Sequence, residues 1–133
     1  MICYKVTRLV AAATEEQGAR YESCKIEDGP VTSYALGMWS EAPEWMAKWG
    51  YHLLVFERFE DARHWVNLND WVILECECEG EVDRLPVMLY WHSSHRWKER
   101  LERGDGLRDL EEVGRGWPQG TRMFKRVKPM REV

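Results

Sequence analysis

Cys76 and Cys78 stand two apart in WVILECECEGEV, residues 71–82. On a strand both thiols face the same way, about 7 Å apart. A structural zinc site takes four ligands, so Cys3, Cys24, His92 and His95 would have to converge on this pair. Val72, Leu74, Cys76 and Cys78 share one parity, which favours a plainer expectation: small apolar side chains in a core, with no metal. His92 and His95 in WHSSH straddle a loop and a helix start and are read as surface or loop histidines. The opposite parity carries Glu75, Glu77, Glu79 and Glu81. Crowded carboxylates raise one another's pKa and can serve as acid–base groups or cation ligands. More often such a row is the solvent-facing edge of a sheet, where it discourages edge-to-edge pairing. The chain contains no GxGxxG, Walker loop, GxSxG or HExxH.

Two compositional features point to surfaces instead of pockets. Eight tryptophans occur in the chain. Most are expected in the core as large rigid rings, and some at a recognition surface, where tryptophan is enriched among interface hot spots. Trp45 and Trp49 are four apart, hence on one helix face. Charge is also segregated. Residues 1–90 hold 8 basic and 16 acidic side chains, whereas residues 91–133 hold 11 basic and 7 acidic. The C-terminal cations include Arg122, Lys125, Arg126 and Lys128. A solvated face partly neutralised by Glu99, Glu102, Asp109, Glu111 and Glu112 accounts for them most simply. Docking onto an acidic protein patch is an alternative. Nucleic acid is a less favoured partner, because the acidic body repels phosphates outside the basic part.

The elements that would position these groups follow from periodicity and punctuation. ICYKVTRLV at 2–10 alternates and reads as a strand, and AAATEEQGAR at 11–20 as a loop. Residues 21–28 and 31–39 flank Gly29-Pro30 and suggest a hairpin over about 20–38. Ser40 would cap a short helix through EAPEWMAKW that stops at Gly50. Strands are expected at 51–59 and 71–82, with a helix at 60–68 between them; the strand order is left open, a parallel crossover included. LPVMLYW at 85–91 reads as a strand or extended segment, and helices follow at 93–104 and 106–114. The last strand runs from 121 to 133, where Pro129 confines it to an edge or an end.

A length of 133 residues fits one domain with a core that needs no staples. No stretch approaches the roughly 20 apolar residues needed to cross a bilayer. No signal peptide is recognisable, so a cytoplasmic protein with reduced thiols and no membrane partner is expected.

Gly50-Tyr-His-Leu-Leu-Val-Phe56, Phe59-Glu-Asp-Ala62 and Trp71-Val-Ile-Leu-Glu-Cys-Glu-Cys-Glu-Gly80 together resemble the central part of small ADP-ribosyltransferase-like domains. That resemblance, over residues 50–80, implies NAD as cofactor. It also implies an Arg or His on the first strand, a Ser or Tyr on a middle strand and a late catalytic Glu. Arg8 and Tyr51 would take the first two places, and Glu75, Glu77 or Glu79 the third. Tyr4-Lys-Val, Trp39-Ser-Glu-Ala-Pro-Glu-Trp45 and Pro118-Gln-Gly-Thr with Val127-Lys-Pro129 resemble small uncharacterised phage and prokaryotic proteins over most of the chain. This second resemblance carries no activity.

The fold class expected is α+β: a mixed, mainly antiparallel sheet with two or three short helices in one compact domain. The function expected is non-enzymatic, the binding of a host or partner protein by a cytoplasmic, phage-borne chain. Trp45, Trp49, Arg122, Lys125, Arg126 and Lys128 are its contact residues. The alternatives are an NAD-dependent transferase using Arg8, Tyr51, Glu75 and Glu77, and nucleic-acid binding through residues 91–133.

Overall fold

The computed structural model describes residues 1–23, 32–48, 50–66, 71–85 and 117–133, apart from the side chain of Trp45. Seven strands and two helical segments lie there: β1 (Ile2–Ala11), β2 (Arg20–Ser23), β3 (Ser33–Ala35), β4 (Ser40–Glu41), α1 (Glu44–Ala47), β5 (Leu53–Phe56), α2 (Phe59–Trp65), β6 (Trp71–Glu81) and β7 (Thr121–Glu132). Every strand pairing among them is antiparallel. Four strands close on themselves. β1 pairs β6, β6 pairs β7, β7 pairs β5, and β5 returns to β1 through Tyr4 opposite Phe56. β2 and β3 extend from β1, and β4 extends from β7.

Among the described residues the result is a small antiparallel β-barrel with added strands and two short helical segments: the mainly antiparallel sheet is as expected, while the α+β class with a mixed sheet is corrected toward mainly β. The two helices expected at 93–104 and 106–114, the strand or extended segment expected at 85–91 from residue 86 on, and the hairpin tip at 24–31 fall outside the described residues.

Closure explains what local patterns left open. β5 and β6 both run antiparallel to β1 and to β7, so they point the same way without touching, and the connection between them crosses over β1 by way of α2. Helix α1 is a single turn that starts after Pro43 with no side-chain cap. The Ser40 hydroxyl instead donates to the Ser33 carbonyl at 3.0 Å, tying β4 to β3. Pro129 lies inside the β6–β7 ladder opposite Cys76, not at an edge. The register shifts between Glu75 and Cys76 at that point, and a bulge accommodates a residue without an N–H.

Two apolar layers hold the barrel. Its interior gathers Cys3, Tyr21, Tyr34, Leu53, Val55, Leu74, Cys76, Cys78, Phe124 and Val127. On the outside, α2 lays Ala62 against Val6, Phe56 and Ile73, and Phe59 meets Tyr4 edge-on at 5.9 Å. The large rings of the core are therefore Tyr and Phe. The described indoles stay nearer the surface: Trp39, Trp71 and Trp117 are half-buried and Trp65 is exposed. These four are not the core rings that most tryptophans were expected to be; the Trp45 side chain and Trp49, Trp91 and Trp97 lie outside the described residues.

Candidate functional site

The carboxylate row is not a sheet edge. β6 lies between β1 and β7, and each carboxylate meets a cation of β7. Glu75 pairs with Arg131 at 2.7 Å, Glu77 with Lys128 at 3.2 Å and Glu79 with Arg126 at 3.1 Å, while Glu81 pairs with Arg122. Arg122 also reaches Glu57 and Arg126 reaches Glu41. Directly opposite residues of an antiparallel pair share a face, which is why two patterned rows find each other rung by rung. Glu81 as hydrogen-bond acceptor holds the Arg122 guanidinium above its ordinary pKa, and Glu75 does the same for Arg131. The partners of these four cations are thus carboxylates of the acidic body.

The described thiols behave as core, and Cys24, like His92 and His95, lies outside the described residues. Cys3, Cys76 and Cys78 are 0%, 0% and 3% exposed. Cys3 stands opposite Cys76 on the β1–β6 pair. Burial pushes Cys76 up to about 12. Cys78 is raised above its ordinary thiol value by the Cys3 thiol beside it and by burial, and Cys3 is lowered from its own by Cys78. Neither solvent nor a reactant reaches this pair in the folded chain, and a sealed thiol is inert whatever its proton affinity. Among the described residues no three His, Cys, Asp or Glu side chains converge on one point. Close by, Lys5 donates to the Leu54 carbonyl at 2.7 Å and lies over the Tyr34 ring, 5.7 Å from its centroid. The Tyr34 hydroxyl is buried without a hydrogen-bond partner, and burial raises its pKa. The Ser23 hydroxyl opposes that rise from nearby, but its own hydrogen bond goes to the Thr32 carbonyl.

The residues assigned to a transferase stand in separate places. Arg8 pairs with Glu22 at 3.6 Å beside β2. Tyr51 is buried ahead of β5. Glu75 and Glu77 belong to the surface ladder. Of the proposed contact residues, Trp49 and the Trp45 side chain lie outside the described residues. Arg122, Arg126 and Lys128 are engaged in the ladder, and Lys125 is exposed.

An apolar surface that the sequence reading passed over sits at the turn between β3 and β4. The turn is closed by Met38 N–H donating to the Ala35 carbonyl, and Gly37 N–H donates to the Pro129 carbonyl at 2.7 Å. Gly37 takes φ +78°, a left-handed conformation that favours glycine. This places Leu36 and Met38 beside the Pro129–Met130 segment. Val10, Leu36, Met38 and Met130 are all exposed, Met38 at 62%. Val10, Ala35 and Met38 share the walls of a groove of about 250 Å³ with Arg20, Glu22, Ser33 and Ser40. At its flank Trp39 holds the Arg126 guanidinium 4.4 Å and the Lys128 ammonium 4.9 Å from its ring centroid. The signal was present in Leu36-Gly37-Met38-Trp39, a glycine among large apolar residues, which the strand expected over 31–39 ran through.

Among the described residues no helix is long and apolar enough to cross a membrane. Comparison with family models, curated proteins and solved structures returned no match.

Proposed function

We propose that this protein is a non-catalytic binding module that engages a partner protein through the β3–β4 turn. The observation that carries the reading is a groove walled by exposed Val10 and Met38, with exposed Leu36 on the adjoining turn and exposed Met130 next to the Pro129 carbonyl on which that turn lands. Exposed apolar residues scattered singly mean little, but a contiguous group with a charged rim has the make-up of an interface. Here Arg20 and Glu22 supply the charge in the groove wall, and the Trp39–Arg126–Lys128 stack follows directly after Met38 in the chain. Methionine at the centre suits such a role, because its flexible thioether adapts to a partner's shape. Arg126 and Lys128 keep a place in this reading as flanking cations whose charge is already balanced.

Affinity capture with matched baits tests it. Wild type and Met38→Glu are immobilised at equal density after circular dichroism shows both folded, and each is exposed to the same lysate. A protein retained by wild type and lost by the variant supports the proposal. Identical retained sets overturn it.

A further inference from the structure

We draw no further inference here: the strongest candidate, the apolar groove of about 420 Å³ where α2 meets the ends of β6 and β7 between Phe59, Val66, Trp71 and Ile73, carries nothing because nothing in the structure shows what covers it.

Discussion

At the residue scale, the three described thiols are sealed from solvent. Cys3, Cys76 and Cys78 are predicted to resist iodoacetamide in the native chain and to label fully in 6 M guanidinium, about the strength that unfolds even very stable domains; peptide mass mapping reads both states. Native labelling at any of the three would mean that the barrel is not closed around them. Tyr21 makes a second case. Its ring is buried, and its hydroxyl donates to Glu132 at 2.9 Å. Burial and that carboxylate raise its pKa to about 12. The unfolded chain releases this proton near the ordinary value of about 10, so the contribution to stability is complete below that pH. It is lost as pH rises from there through about 12. Tyr21→Phe is predicted to flatten the fall in melting temperature over that window, and absorbance titration near 295 nm shows whether the tyrosine ionises late. Gly120 combines φ +80° with a position where a Cβ would run into the Asp61 carboxylate of α2. Gly120→Ala should therefore cost about 1–3 kcal/mol. Gly37→Ala, with a similar φ and open space around it, should cost about 1 kcal/mol, the conformational part alone. Equal losses in urea melts would remove Asp61 from the explanation.

At the element scale, the β6–β7 pair is the most heavily patterned unit in the molecule. A double-mutant cycle on Glu77→Gln and Lys128→Gln is predicted to give a coupling of about 0.2–1 kcal/mol that shrinks in 1 M salt. A coupling of zero in low salt would reduce the ladder to a crystal-like coincidence of charges without energetic meaning. Both strands were legible in advance: β6 was expected at 71–82 and found at Trp71–Glu81, and β7 was expected at 121–133 and found at Thr121–Glu132. The β2–β3 pairing was legible too, with Tyr21 opposite Tyr34. What periodicity did not reveal was which strands become neighbours. Alternation tells one side of a strand from the other, but Glu75–Glu81 look the same whether they border solvent or a basic strand whose cations are 41 to 56 residues away. Local chemistry misled at Ser40, a good helix cap by type that closure recruits to β4 instead. The candidate surface was hidden for a related reason: Val10 and Met38 are far apart in sequence and share one groove only in the folded sheet.

At the scale of the whole molecule, the residues assigned to a transferase stand in separate places, and none of them lines the groove at the β3–β4 turn. Arg8, Glu75 and Glu77 each have a protein partner of opposite charge, so millimolar NAD is predicted to leave the melting temperature unchanged. A ligand that binds the folded state alone raises it by mass action, and a clear rise would revive the transferase reading. The account rests most heavily on the apolar turn as the point of contact. Its most direct test is the dissociation constant of the purified captured protein for wild type, Met38→Glu and Lys125→Glu. The account predicts at least a roughly tenfold weakening for Met38→Glu, as for loss of a central anchor, and less than about a twofold change for Lys125→Glu, an exposed charge away from the groove. Undiminished binding by Met38→Glu, with the loss falling on Lys125→Glu instead, would contradict it.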